Sequence, residues 1–87
     1  IYTDAQGMVD HDTPHALETS EIESIAEQFA NAAKTAIGIG FDGVEVHSAN
    51  GYLLHQFLSS NVNQRTDKYG GSIAGRTAMP LEVIAAV

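Results

Sequence analysis

One run of residues constrains this chain more than any other. Asp42-Gly-Val-Glu-Val-His47 reads as a short strand lying between two helical segments. Its side chains alternate, Val44 and Val46 to one face, Glu45 and His47 to the other. A lone strand cannot be buried without partners for its N–H and C=O groups. A helix–strand–helix order also implies parallel neighbours reached through helical crossovers. The chain therefore asks for strands that it does not contain, and the expectation is a piece of a larger α/β protein.

The flanking segments support this. Ile22, Ile25, Ala26, Phe29, Ala33, Ala36 and Ile37 recur at spacings of three and four, which predicts a helix over 20–37. Ser20 with Glu23 has the pattern of a capping box, and Gly38 is the expected stop. After the strand comes Asn50-Gly51, a step that elsewhere signals a hairpin. Leu53, Leu54, Phe57 and Leu58 follow at i, i+1, i+4 and i+5, which favours a turn into a short helix over a hairpin. Residues 59–71 read as a polar loop. Ser72 is placed to cap a last helix from about 73, with a kink or restart expected at Pro80. Residues 1–19 are irregular, with turn signals at Gln6-Gly7 and Asp12-Thr13-Pro14.

Composition excludes several function classes. The 87 residues allow at most one small domain. Eleven acidic against four basic residues leave a net charge of -7, which disfavours nucleic acid and anionic membranes as partners. The absence of cysteine removes disulfides, thiolate nucleophiles and Cys-based metal sites. No apolar run approaches the roughly 20 residues of a membrane span. No basic-then-apolar leader opens the chain, and the expected location is cytoplasmic.

Three motif-like stretches have plainer explanations. Gly38-Ile-Gly40-Phe-Asp-Gly43 matches G-x-G-x-x-G, but it follows a helix and opens a strand. A dinucleotide site needs the reverse order, so the reading is a helix end and turn. Gly70 to Thr77 resembles a P-loop with Arg76 in place of Lys. No apolar strand precedes it, so it reads as a turn into a helix. His11 and His15, beside Asp10 and Asp12, lie on no clear helix that would give their spacing a common face. A solvated acidic loop is expected there, with no metal site.

His47-Ser-Ala-Asn50-Gly-Tyr52 is different. His47 ends the expected strand, and Asn50 and Tyr52 follow on the loop. In parallel α/β proteins the carboxyl ends of strands are where ligands bind. An imidazole and a carboxamide are both donors and can grip one oxygen. A phenol can deliver its proton to a carbon bearing developing negative charge. Together they suit reduction of an activated double bond, with a redox cofactor supplying the hydride. By residue type alone, a core His, a turn Asn and a packed Tyr are the commoner explanation.

At these residues a family resemblance emerges. Phe41-Asp-Gly-Val-Glu-Val-His47-Ser-Ala-Asn50-Gly-Tyr52-Leu-Leu-His-Gln-Phe-Leu58 closely resembles the Old Yellow Enzyme family of flavin-dependent ene-reductases. Asn63-Gln-Arg65-Thr-Asp67-Lys-Tyr69-Gly-Gly-Ser72-Ile and Pro14-His-Ala-Leu17-Glu-Thr-Ser-Glu-Ile22 do likewise. The resemblance implies a single FMN-binding TIM, (β/α)8, barrel domain, of which residues 1–87 would be an internal segment with no boundary inside it. Strand 42–47 would be the barrel's fourth. It also implies reduction of α,β-unsaturated carbonyl or nitro compounds with NAD(P)H. His47 and Asn50 would bind the substrate's activating oxygen, and Tyr52 would donate the proton, making His47, Asn50 and Tyr52 the catalytic set. The family's main flavin contacts lie on other strands, so the cofactor-binding residues of this segment are left unknown. No metal site is expected, and the oligomeric state is left open.

The pattern departs from the family at Ala74-Gly75, usually Glu-Asn, at Ala78, usually Arg, and at His15, usually Arg. Gly75 and the two missing basic groups are expected to weaken the packing of that edge. Two alternatives stay beside this reading. One is a truncated product that is inactive by itself. The other is a segment of a related flavoprotein such as a dienoyl-CoA reductase. A complete barrel needs roughly 250 residues. A start at Ile1 without Met and a stop at Val87, inside an apolar helical stretch, are what an internal segment is expected to show.

Overall fold

The computed structural model describes residues 2–87. A two-residue antiparallel hairpin, β1 (Tyr2–Thr3) and β2 (Gly7–Met8), pairs Tyr2 with Met8 and Thr3 with Gly7. Three helices follow: α1 (Thr19–Gly38), α2 (Leu53–Leu58) and α3 (Ile73–Ala86). Helix α3 packs against both of the others. Between them lies one small core of Ile22, Leu54, Phe57, Tyr69, Met79 and Val83.

Helix α1 has the expected apolar stripe, but both of its ends are shifted. It starts at Thr19 with Glu18 as the cap residue. The Glu18 N–H donates to Glu21 Oε2 at 2.7 Å, so Glu21 reaches back where Glu23 was expected to. At the other end Gly38 is still helical. The stop is Gly40, at φ 103°. Its N–H bonds the Ile37 carbonyl at 3.1 Å, and the Phe41 N–H bonds that of Ala36 at 3.1 Å. That pair of bonds is a Schellman closure, which needs a left-handed residue at the position Gly40 occupies. The Gly-rich motif at 38–43 is therefore a helix end and turn.

The expected strand 42–47 is not formed. Among the described residues, the backbone of 42–48 makes no hydrogen bond and carries no strand assignment. The alternating pattern fits a strand, but a ladder needs a second strand, and none lies alongside.

The turn after it does lead into a helix. Ala49 to Tyr52 closes with a bond from the Tyr52 N–H to the Ala49 carbonyl at 3.2 Å, with Asn50 at φ 57° and Gly51 at φ 81°. Two successive positive φ values are what make Asn-Gly suitable here. Helix α2 begins at once, and its apolar residues Leu54 and Phe57 enter the core.

Ser72 caps α3 as expected, its hydroxyl accepting from the Gly75 N–H at 3.1 Å. The helix is continuous from Ile73 to Ala86, so that of the kink or restart expected at Pro80 the restart does not occur. Pro80 lacks the N–H that would bond the Arg76 carbonyl. It is buried beside Met79, so packing compensates for one lost ladder bond. The edge expected to be loosened by Gly75 is in fact close-packed. A Cβ on Gly75 would lie 2.0 Å from the Gly70 carbonyl oxygen, and one on Gly70 would lie 2.2 Å from that of Arg65.

The loop 59–71 owes its shape to side chains. Asn63, 9% exposed, donates through Nδ2 to the carbonyls of Phe57 at 2.7 Å and Tyr69 at 2.8 Å. Its Oδ1 accepts from the Arg65 N–H at 3.1 Å. Arg65 grips Asp67 with two donors and reaches the Leu17 carbonyl through Nη1 at 2.5 Å. This joins residues 48 positions apart. The guanidinium, with further help from the Tyr69 N–H and the Thr19 hydroxyl, pulls the Asp67 carboxyl down to a pKa of about 2. Tyr69 donates to Glu82 at 2.9 Å, and burial raises its pKa.

Candidate functional site

The three singled-out residues lie on one short stretch, at the end of the unpaired segment and on the turn that follows. The rings of His47 and Tyr52 are 5.1 Å apart between centroids, tilted by 51°. Asn50 stands between them in sequence, in the left-handed conformation of the turn. All three are exposed, Tyr52 by 61%. None of their polar side-chain atoms has a hydrogen-bond partner among the described residues. An imidazole, a carboxamide and a phenol are thus held close along the chain with their donors free for a ligand. Such a set can bind an oxygen that gains negative charge and can supply one proton.

The turn itself is clamped by α2. The Gly51 N–H donates to Nδ1 of His55 at 2.8 Å, and Gln56 Nε2 donates to the Gly51 carbonyl at 2.7 Å. Sequence reading missed both contacts. A His and a Gln four and five residues after a glycine are compatible with a helix reaching back over its own entry turn, but that signal is weak.

The remaining motif-like stretches hold no such set. Arg76, at the P-loop lysine position, bonds the Leu58 carbonyl through Nε at 3.0 Å and that of Gly71 through Nη1 at 2.5 Å. It braces the turn into α3. Among the described residues no group of three or more His, Cys, Asp or Glu side chains is placed to hold a metal ion. His15 instead lines an open, mostly apolar groove of about 570 Å³, with Leu17, Ile25, Leu53, Phe57 and Val62 among its walls. No helix among the described residues is long and apolar enough to cross a membrane.

Comparison with known proteins bears on this geometry. A family model described as the NADH:flavin oxidoreductase / NADH oxidase family matches residues 2–87. The 12-oxophytodienoate reductase 1 of Oryza sativa subsp. japonica is 51% identical over 87 residues, which is 100% of this chain and 23% of that protein. A "Probable flavin mononucleotide-dependent alkene reductase" of Leishmania infantum is 57% identical over 74 residues, 85% of this chain and 20% of the relative. Among solved structures, morphinone reductase in complex with tetrahydroNAD superposes with a TM-score of 0.90 at 48% identity, over 99% of this chain and 24% of that one. The chain thus spans about a fifth to a quarter of the length of the proteins it matches. It corresponds to part of the TIM-barrel fold.

Proposed function

The chain belongs to the NADH:flavin oxidoreductase / NADH oxidase family, the Old Yellow Enzyme-like flavoproteins, and from that membership we propose the reaction that its exposed turn serves. The 87 residues form one internal segment of a single FMN-binding (β/α)8 domain. Residues 42–47 become its fourth strand when neighbouring strands pair with them, and no domain boundary falls inside the segment. The protein carrying the segment uses NAD(P)H to reduce the C=C bond of α,β-unsaturated carbonyl or nitro compounds. The segment alone is inactive. The observation that supports this reading is the His47–Tyr52 ring pair, 5.1 Å apart and exposed beside the Asn50 turn.

The residues present fit the substrate side of a flavin site, since the exposed His47 and Tyr52 rings lie 5.1 Å apart and the exposed Asn50 amide lies between them in sequence. They do not supply its phosphate site. Three of the four basic side chains are engaged: Arg65 and Arg76 are bonded to backbone carbonyls, and Lys68 lies 3.1 Å from Glu23 and 4.7 Å above the Tyr69 ring. The fourth, Lys34 on α1, lines a groove with Val44 and Val87, and a single cation makes no phosphate cradle. No residue of this chain is therefore assigned to the cofactor. FMN, when bound, supplies a hydride that originates from NAD(P)H.

The chain's own residues do the rest. The His47 imidazole and the Asn50 amide donate to the substrate's carbonyl or nitro oxygen. They polarise the double bond and hold the negative charge that grows on that oxygen. The Tyr52 hydroxyl gives its proton to the carbon next to the activating group, while the hydride goes to the carbon beyond it. The product is the saturated carbonyl or nitro compound, and solvent returns the proton to Tyr52.

The test is rapid-reaction kinetics on the full flavoenzyme with cyclohexenone. Tyr52→Phe should slow alkene reduction by about a hundredfold or more while leaving flavin reduction by NAD(P)H close to wild type. Equal slowing of both half-reactions would remove Tyr52 as the proton donor.

A further inference from the structure

The Ala49–Tyr52 turn carries two of the three proposed reacting side chains and sits in a conformation that costs free energy. Asn50 at φ 57° occupies the left-handed region, which asparagine tolerates better than other non-glycine residues but which still costs it some free energy. The turn's own closing bond, from the Tyr52 N–H to the Ala49 carbonyl, leaves the Gly51 peptide free on both sides. Helix α2 takes up both groups. His55 Nδ1 accepts the Gly51 N–H at 2.8 Å, and Gln56 Nε2 donates to the Gly51 carbonyl at 2.7 Å. The backbone adds a further tie, from the Gln56 N–H to the Tyr52 carbonyl at 3.0 Å.

We propose that His55 is a positioning residue for the reaction, whose Nδ1 lone pair locks the Asn50-Gly51-Tyr52 turn so that the Asn50 amide and the Tyr52 hydroxyl face one substrate. This rests on the function proposed above. The imidazole is required as an acceptor. Its proton resides on Nε2, and Nδ1 faces the Gly51 amide. A positively charged imidazolium would have only donors, and Nδ1–H would meet N–H. An asparagine at 55 can substitute, because its Oδ1 stands the same number of bonds from Cα as His Nδ1 and also accepts. A phenylalanine fills similar space and accepts nothing. His55 touches neither substrate nor hydride and acts through Asn50 and Tyr52.

The experiment uses the FMN-loaded full enzyme and two readouts. In stopped-flow alkene reduction, His55→Phe should be slowed about tenfold or more, and His55→Asn should recover most of that rate. In a Tyr52→Phe background, His55→Phe should cost much less than it does alone, because the group it positions is gone. Hydrogen exchange of the Gly51 amide gives the second readout. It should be protected in the wild type and in His55→Asn, and exposed in His55→Phe. Equal rates for His55→Phe and His55→Asn, or full additivity with Tyr52→Phe, would overturn the inference. If His55→Phe does not fold, an unprotected Gly51 amide in the wild-type enzyme overturns it and a protected one lost in His55→Ala supports it. Failure of the proposed function is separately visible, as Tyr52→Phe with unimpaired alkene reduction.

Discussion

Asn63 is the side chain on which the loop after α2 depends, and replacing it gives a sharp quantitative expectation. Three hydrogen bonds converge on its amide: two donated, to the Phe57 and Tyr69 carbonyls, and one accepted, from the Arg65 N–H. Asn63→Ala removes all three and leaves three backbone groups unpaired at a buried position. At a net ~1 kcal/mol per bond, and more wherever water cannot reach the orphaned group, the loss is about 2–4 kcal/mol. Because ~1.4 kcal/mol is a factor of ten, local opening of residues 57–70 should become roughly thirty to several hundred times more frequent.

Hydrogen-exchange mass spectrometry on peptides spanning 57–70 of the full enzyme would measure this. Asn63→Asp sharpens the test. Its carboxylate keeps the bond from Arg65 but faces two carbonyl oxygens with no donor, so at neutral pH it should be worse than Ala. Acidification should relieve it, since the protonated acid can again donate to one carbonyl. A change below about threefold in Asn63→Ala, or an Asp variant better than the Ala variant at neutral pH, would refute the assignment of the loop's anchorage to this amide.

Other expectations follow from the same region. Gly70→Ala should cost about 1–3 kcal/mol in urea unfolding, because its Cβ would sit 2.2 Å from the Arg65 carbonyl oxygen. Gly71, at φ 68° with open space around it, should accept Asn much better than Ala, whereas Gly70 should reject both. The Asp67 carboxyl, lowered from 3.8 to about 2, stabilises the fold fully above its unfolded value. That contribution is lost as pH falls from about 4 towards 2. Asp67→Asn should flatten this part of an acid-unfolding curve by no more than about 1 kcal/mol, the pair being partly solvent-screened.

How much of this was legible depended on the range of the interaction. The stripe of α1, the turn into α2 and the Ser72 cap all rest on residues within about five positions of each other, and their patterns showed directly. The cap of α1 moved by two residues because Glu18, Ser20, Glu21 and Glu23 offer competing registers. Gly40 replaced Gly38 as the stop because both are glycines and only the closure geometry tells them apart. At Pro80 the missing N–H points to a kink or restart, whereas the burial that compensates for it is a tertiary property. Asn63, the Arg65 link to Leu17 and the Tyr69–Glu82 bond carry no local signature, since each depends on where distant backbone comes to rest. At the site, residue types alone favour the plainer explanation of His47, Asn50 and Tyr52, and it is the family resemblance of their motif that singles them out. The grip of His55 and Gln56 on Gly51 does not show.

The unpaired backbone of residues 42–48 has a consequence for handling the chain by itself. Both of its edges present free N–H and C=O groups, and Ile39, Phe41 and Val44 next to or within it are exposed. Such a ribbon accepts any extended partner, including another copy of itself. Made alone, the 87 residues should stick to one another. Co-expressed with segments that bring the missing neighbouring strands, they should be drawn into solution, so that solubility itself reports when the sheet has been completed.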